Sequence, residues 1–223
     1  ESLRPYLIKK HILGTEFEHD IKIYSEDDST YDSFVYKTKS DKYIIIGSGS
    51  TLSTEYRYLD ADNPNGEFKI IQPREKKLEY SVDHDGDYFY IVTNLPAPGQ
   101  EDAKNYRLVK TPVNKTTKEN WVEVIPHRKD VLLEGIEIFK NYLVLQERKN
   151  GLIQLRIINW NDNEEHYLDF GEPVYVAYIS ANPEFDTDIL RYGFSSLVTP
   201  NSVFDYNMTT KEKTLLKQDE IIG

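Results

Sequence analysis

Residues 142–158 read YLVLQERKNGLIQLRII, two apolar segments separated by a short polar turn. β-Branched and large apolar side chains in runs of this length favour β-strands. The turn Lys149-Asn150-Gly151 joins the two segments. Another short apolar segment precedes them at Leu133–Ile138, and a fourth follows at His166–Phe170. The stretch therefore predicts four consecutive antiparallel strands.

The same four-strand unit recurs along the chain. Its second strands begin near residues 43, 88, 142 and 190, at spacings of 45, 54 and 48 residues. Repeats of this length, each built from four short strands, are typical of β-propeller blades. The Asp-Gly pair within residues 83–87 predicts a hairpin. Pro73, Pro126 and Pro173 fall between units, where a proline removes no ladder hydrogen bond.

We therefore expect an all-β fold, an incomplete β-propeller of about four four-stranded antiparallel blades. Residues 6–24 are expected to form the last two strands of a preceding blade. The expected domain covers residues 1–223, with blades at approximately 1–30 (partial), 31–73, 74–126, 127–172 and 173–223. Because a closed ring needs about six to eight such blades, two open edges are expected. Unpaired edges favour self-association of the chain.

Composition agrees with this fold class and restricts the partners. The 223 residues include 17 Tyr, 9 Phe and 2 Trp, which favour strands, and the net charge is −11. An acidic chain repels nucleic acid and anionic membranes and attracts basic peptides. The sequence contains no Cys, no signal peptide and no apolar stretch of membrane-spanning length. These features favour a cytoplasmic location, with neither nucleic acid nor membrane as a partner.

The sequence contains no motif that would support catalysis or bind a cofactor. There is no G-x-S-x-G, no P-loop, no dinucleotide fingerprint and no H-E-x-x-H. The turns at residues 26–28 and 83–87 are acidic, and we interpret both as solvated turns rather than calcium sites. The five His lack metal-ligand spacing. Glu134 and Glu137 are the best candidate carboxylate pair, but strand alternation predicts that they point to opposite faces. We therefore expect no catalytic residue, no cofactor and no metal.

One set of loop residues is a candidate interaction surface. Loops between second and third strands of a blade share a face of a propeller with the connections between blades, and these loops carry several arginines. Arg guanidinium groups suit paired hydrogen bonds to carboxylates across an interface. The same arginines could instead hold neighbouring blades together, and both interpretations remain open. The candidate residues are Arg74, Asn94, His127, Arg128, Arg148 and Glu172.

Several segments resemble a known family. Residues 126–134, PHRKDVLLE, are similar to a segment of the oligopeptidase B (protease II) group of the prolyl oligopeptidase family. Residues 143–152, 190–200 and 215–220, with the shorter runs 93–94 and 105–108, resemble the same group in order and spacing. The resemblance runs essentially from end to end and implies the later blades of an N-terminal β-propeller.

The resemblance also implies a function for a longer parent protein. Members pair a seven-bladed propeller with an α/β-hydrolase domain that carries a Ser-Asp-His triad, and the oligopeptidase B group cleaves short peptides after Arg and Lys. The triad lies in the hydrolase domain, so no catalytic residue is carried over and this segment is expected to be inactive alone. Its expected partners are that hydrolase domain and short basic peptides. The alternatives are a stand-alone propeller that binds a partner or acts as a scaffold, and a complete enzyme with a carboxylate pair of its own.

Overall fold

The computed structural model describes residues 3–221. Residues 1, 2, 222 and 223 of the expected domain lie outside the described part. The described residues form eighteen β-strands and two short 3-10 helices, at Phe17–His19 and Lys118–Asn120. No helix among them is long and apolar enough to cross a membrane. The all-β fold class is therefore confirmed.

A two-stranded sheet comes first in the chain and is followed by four sheets of four strands each. The first sheet contains β1 (Leu7–Lys10) and β2 (Ile21–Ser25), and the second contains β3 (Asp32–Lys37), β4 (Tyr43–Ser50), β5 (Ser53–Asp60) and β6 (Lys69–Gln72). The third contains β7 (Tyr80–Asp85), β8 (Tyr88–Thr93), β9 (Arg107–Pro112) and β10 (Val122–Ile125). The fourth contains β11 (Leu132–Ile138), β12 (Tyr142–Lys149), β13 (Leu152–Asn159) and β14 (Glu165–Tyr167), and the fifth β15 (Tyr175–Ile179), β16 (Ile189–Ser196), β17 (Ser202–Asn207) and β18 (Lys213–Gln218).

Each four-stranded sheet pairs its strands in chain order, as a propeller blade does. The second strand of each sheet has neighbours on both sides, and in β8 and β12 most side chains are buried. The last strand is an edge, and every residue of β18 is exposed. Tight turns join the strands: Asn150 and Gly151 have φ of 51° and 83°, as a two-residue hairpin turn between β12 and β13 requires. The fold is therefore that of a partial β-propeller.

In each of two sheets, an aromatic ring lies in close contact with a glycine of the neighbouring strand. Phe34 lies opposite Gly47 in the β3–β4 register, and Tyr178 lies opposite Gly193 between β15 and β16. A Cβ atom at Gly47 would lie 2.3 Å from the Phe34 ring, and one at Gly193 would lie 2.2 Å from the Tyr178 ring. Each ring covers the glycine of the neighbouring strand, so the repeat extends to side-chain packing.

The chain divides into two compact units. The first unit contains the residues up to Leu95 together with Val109–Glu123, and the second contains Pro96–Leu108 together with the residues from Val124 onward. The core of the first unit includes Ile45, Tyr56, Ile71, Leu78, Tyr80, Val82, Phe89, Ile91 and Val109. The core of the second includes Phe139, Val144, Leu155, Ile157, Leu190, Tyr192, Phe194 and Tyr206. Each unit therefore has an apolar core of its own.

Two local predictions were wrong. Asp83 and Asp85 are not part of a solvated hairpin tip, because β7 continues to Asp85 and both side chains are partly buried. Glu134 and Glu137 do not alternate to opposite faces. The β11–β12 register shifts between Leu133 and Gly135, so Glu134 is an extra residue in a β-bulge. The Glu134 carboxylate accepts a hydrogen bond from Gln146. Gln146 lies two residues from Val144, the residue opposite Glu137, and is therefore on the same face of β12 as Val144.

Candidate functional site

The first candidate arginine, Arg74, lies in the connection between β6 and β7 and is held by two buried glutamates. Its Nη2 lies 2.6 Å from Oε2 of Glu26 and 3.4 Å from Oε1 of Glu55, and its backbone N–H donates to Glu55. The guanidinium carbon lies 4.0 Å from the centre of the Tyr31 ring. The hydrogen bond to Glu26 is the main reason that the pKa of Arg74 is raised. Arg74 therefore remains charged and fixed in place.

Glu26 is the centre of this arrangement. Residues 26–28 were predicted to be a solvated turn; this is wrong for Glu26, whereas Asp27 and Asp28 are exposed. Only 5% of Glu26 is exposed. It accepts hydrogen bonds from Tyr24 and Ser48, both at 2.6 Å, as well as from Arg74. Burial acts to raise the pKa of Glu26, but these hydrogen bonds outweigh burial and lower the pKa to about 2.

Arg57 completes the group. Its Nη2 lies 2.5 Å from Oε1 of Glu55, and its guanidinium carbon lies 4.5 Å from the centre of the Tyr24 ring. Two carboxylates thus face two guanidinium groups, so the group is balanced in charge although much of it is buried. We call Tyr24, Glu26, Ser48, Glu55, Arg57 and Arg74 the Glu26 cluster.

Arg128 is held in a similar way in the second unit. It lies in the connection between β10 and β11 and forms an ion pair with Glu147 of β12, whose side chain is fully buried. The Arg128 Nη1 donates to the Tyr167 hydroxyl at 3.3 Å, and that hydroxyl donates to Oε2 of Glu147 at 3.0 Å. Burial acts to lower the pKa of Arg128, but Tyr167 and Glu147 outweigh it and raise the pKa.

Arg156 of β13 is the second cation beside Glu147. Its Nη1 lies 3.6 Å from Oε1 of Glu147, and its Nε donates to Glu165 of β14 at 3.1 Å. We call Arg128, Glu147, Arg156, Glu165 and Tyr167 the Glu147 cluster. This cluster links β12, β13 and β14 to the segment between β10 and β11, which precedes their sheet.

The other candidate residues lie apart from these clusters. Asn94 fastens the start of β7: its side chain accepts from the backbone N–H of Glu79 at 2.9 Å and donates to the carbonyl of Lys77 at 3.0 Å. Arg148 lies 2.5 Å from Oε1 of Glu134 and donates to the carbonyl of Gly151. Asn94 and Arg148 therefore each hold a turn or strand within their own unit.

Glu172 and His127 differ in how they are held. Glu172 accepts from the Thr199 hydroxyl at 2.7 Å, and hydrogen bonds from Ser196 and Thr199 lower its pKa. His127 lies in the connection between β10 and β11. Its ring is half-buried and lines an open cavity of about 320 Å³ with Glu101 and Asp102.

The chemistry of both clusters is ion pairing. Each arginine faces a carboxylate, and Ser48 makes hydrogen bonds to Glu26, Tyr24 and Ser33 rather than to an imidazole. In residues 3–221 no three His, Cys, Asp or Glu side chains are placed to hold a metal ion. The clusters therefore fix the connections between sheets to the sheets themselves. The contacts of Arg74 and Arg128 within the chain are those that the blade-holding interpretation requires, and each side chain keeps an exposed part.

Comparison with known proteins covers almost the whole chain. Residues 3–219 match the family model described as "Prolyl oligopeptidase, N-terminal beta-propeller domain". The chain is similar to dipeptidyl aminopeptidase BI of Pseudoxanthomonas mexicana, with 37% identity over 223 residues, all of this chain and 30% of that protein. It is 29% identical to protease 2 of Moraxella lacunata, again over all of this chain and 31% of that protein.

Solved structures agree with these matches. Oligopeptidase B from Leishmania major superposes with a TM-score of 0.88 and 26% identity, over 98% of this chain and 31% of that one. Oligopeptidase B from Trypanosoma brucei superposes with a TM-score of 0.86 and 26% identity, over 97% of this chain and 31% of that one. The chain thus spans about a third of the length of these proteins, and the resemblance inferred from the sequence is confirmed. This chain belongs to the family of prolyl oligopeptidase N-terminal β-propeller domains.

Proposed function

We propose that this chain is the access-controlling part of a peptidase that, like oligopeptidase B, cleaves short peptides after Arg or Lys. The family match over residues 3–219 is the observation that carries the proposal. The catalytic triad would be supplied by an α/β-hydrolase domain outside this chain. The propeller would admit short flexible peptides and exclude folded proteins by size.

The two clusters support such a role because exclusion by size requires blades that do not separate easily. The Glu26 cluster and the Glu147 cluster each fasten an inter-sheet connection with buried, charge-balanced ion pairs. Breaking a buried pair by removing one partner costs about 3–5 kcal/mol. Each connection is therefore held far more firmly than an exposed loop.

The net charge supports basic peptides as the substrate class. A chain with 38 acidic and 27 basic side chains attracts cations and raises their local concentration, and salt screens this attraction. In the full-length gene product we expect kcat/KM for a peptide with several Arg to fall as ionic strength rises. The matched control peptide carries citrulline in place of all Arg except the one before the cleaved bond. Equal salt dependence for the two peptides would remove charge attraction from the proposal.

A second candidate activity is removal of dipeptides from the N-terminus. It is favoured by the 37% identity to dipeptidyl aminopeptidase BI, against 29% to protease 2. The deciding experiment gives the full-length gene product two fluorogenic substrates with the same Arg before the bond, one with a free N-terminal dipeptide and one with a blocked N-terminus. Cleavage of both supports the endopeptidase, and cleavage of the free dipeptide alone supports the second candidate.

Exclusion by size has its own test. The same Arg-containing sequence is offered as a short free peptide and as a loop of a stably folded carrier protein. We expect cleavage of the free peptide only. Comparable cleavage of both would contradict access control by the propeller.

A further inference from the structure

A cavity of about 350 Å³ opens beside Arg74 in the first unit. Three connections form its walls: the segment between β2 and β3, the turn between β4 and β5, and the segment between β6 and β7. Its lining residues are Asp28, Thr30, Tyr31, Ser50, Leu52, Ser53, Arg74, Glu75, Lys76 and Lys77. We call this cavity the Arg74 pocket.

One wall of the pocket is a preorganised guanidinium. Arg74 is fixed by Glu26, Glu55 and the Tyr31 ring, yet 29% of its side chain remains exposed. A ligand that contacts the exposed part would not need to order this side chain, so binding would lose little conformational entropy there.

Two lysines add positive charge to the same pocket. Lys76 and Lys77 are both exposed, and neither forms an ion pair with any residue in the described range 3–221. Lys77 has φ of 68°, and its carbonyl accepts a hydrogen bond from Asn94, so its backbone is fixed as well. Both lysines therefore belong to the lining of the pocket that contains Arg74, and neither has an acidic partner in the described range.

The acidic residues of the pocket already have partners. Glu75 accepts from the Lys118 ammonium at 2.6 Å with both oxygens and from the Gln72 amide at 2.8 Å. Asp28 accepts two hydrogen bonds from Thr30. Within a chain of net charge −11, this pocket thus offers two lysines without an ion pair, beside an arginine that is paired with Glu26 and Glu55 but still partly exposed.

We propose that the Arg74 pocket binds an acidic segment of another polypeptide, with Asp or Glu carboxylates placed against Lys76, Lys77 and the exposed part of Arg74. Planar guanidinium groups pair well with carboxylates. Leu52, which is 54% exposed, lies in the same lining and offers an apolar surface beside the cations. An acidic residue next to an aliphatic one fits this combination better than a small inorganic anion does. The inference does not depend on the proposed peptidase activity.

The test measures binding by the full-length gene product that contains this chain. The probe is a fluorescein-labelled, N- and C-terminally blocked peptide, Asp-Glu-Leu-Glu-Asp, followed by fluorescence anisotropy at low ionic strength. The pocket variant is Lys76→Glu/Lys77→Glu. The matched control is Lys22→Glu/Lys69→Glu, which changes the net charge equally at exposed lysines of β2 and β6.

We expect the pocket variant to bind the probe about tenfold more weakly than the unchanged protein, because two repulsive charges replace two attractive ones. The control variant should stay within about twofold, and the peptide with Asn and Gln in place of its acidic residues should bind as weakly as the probe binds the pocket variant. Equal loss in both variants, or equal binding of the amide peptide, would overturn the proposal. Displacement of the probe by inorganic phosphate as efficient as that by unlabelled peptide would also overturn it, since the pocket would then be a small-anion site.

Discussion

The Glu26 cluster and the Glu147 cluster perform the same structural task with the carboxylate on opposite strands. Arg57 and Arg156 are each the fifth residue of the third strand of their sheet. The register opposes Ser48 to Glu55 in the first case and Glu147 to Gln154 in the second. The acidic residue thus lies on the third strand of the sheet in the first case and on the second strand in the other. The arginine occupies the same position of the third strand in both.

The two clusters also differ in which carboxylates pair with their arginines. In the Glu26 cluster a second carboxylate, that of Glu26, comes from the connection before the sheet, accepts a hydrogen bond from Ser48 and pairs with Arg74. In the Glu147 cluster one fully buried carboxylate lies within ion-pair distance of both arginines. Arg74 lies within ion-pair distance of two carboxylates, those of Glu26 and Glu55, whereas Glu147 is the one carboxylate within ion-pair distance of Arg128 in residues 3–221. A change at Glu147 should therefore cost more than the corresponding change at Glu26.

The largest effect is expected from Glu147→Gln. The substitution leaves Arg128 without its ion pair and leaves Arg156 with Glu165 alone, and we expect the free energy of unfolding to fall by about 4 kcal/mol. Urea unfolding can be followed in the second unit through Trp160, with Trp121→Phe as the background, because the chain has one Trp in each unit.

The matched control for this variant is Glu134→Gln on the neighbouring strand. Glu134 forms its ion pair with Arg148, whose side chain is 43% exposed, and exposed pairs contribute about 0–1 kcal/mol. Equal destabilisation by the two substitutions would contradict the larger contribution to the free energy of unfolding that we assign to Glu147.

The next effect concerns Glu26→Gln and depends on pH. Lowering the pKa of Glu26 from 4.5 to about 2 corresponds to about 3 kcal/mol of stability. Because the pKa in the folded state is depressed, this contribution is complete above about pH 5 and is lost as the pH falls from about 4.5 towards 2. The difference in unfolding free energy between the unchanged chain and Glu26→Gln should therefore be large at neutral pH and close to zero near the folded-state pKa. Trp121 fluorescence in a Trp160→Phe background measures it, and a difference that is independent of pH would exclude the proposed role of the Glu26 charge.

These two clusters also mark where sequence reasoning succeeds and where it fails. The strands, their spacing and the turns follow from local patterns of apolar residues, and those predictions were confirmed for β4, β8, β12 and β16. Glu26 was assigned to a solvated turn because its partners Ser48 and Arg74 lie 22 and 48 residues away, beyond any local pattern. The bulge at Glu134 had a signal that was not used, because an isolated Gly within a strand, here Gly135, often marks a bulge. A useful signal was present but not used: Glu55 and Glu147 occupy buried positions within otherwise β-forming strands, and a buried carboxylate requires a partner.

A rescue experiment sharpens the comparison between the two strand pairs. Adding Gln154→Glu to Glu147→Gln moves the carboxylate to the strand that carries it in the first unit. We expect recovery of about 1.5 kcal/mol, because the new carboxylate lies two residues from Arg156, as Glu55 does from Arg57, and a hydrogen bond to a charged group contributes about 1.5–3 kcal/mol. Gln154→Glu alone should not stabilise the chain, since Glu147 already pairs with Arg156. If the double variant is no more stable than Glu147→Gln, the two positions are not interchangeable.

The smallest expected effects come from two tyrosine hydroxyls that occupy comparable places. Tyr24→Phe removes a donor 2.6 Å from Glu26, and Tyr167→Phe removes a donor 3.0 Å from Glu147. Each should lower the free energy of unfolding by about 1 kcal/mol at neutral pH. The pH dependence separates them: the Tyr24 hydroxyl helps to lower the pKa of Glu26, so its loss should shift the acid-unfolding midpoint of the first unit to higher pH. Urea titrations between pH 3 and 7 with the two single-Trp backgrounds measure both effects. If Tyr24→Phe left that midpoint unchanged, the low pKa of Glu26 would depend on Arg74, Ser48 and the backbone N–H of Asp28, and the Glu26 cluster would lose one of its members.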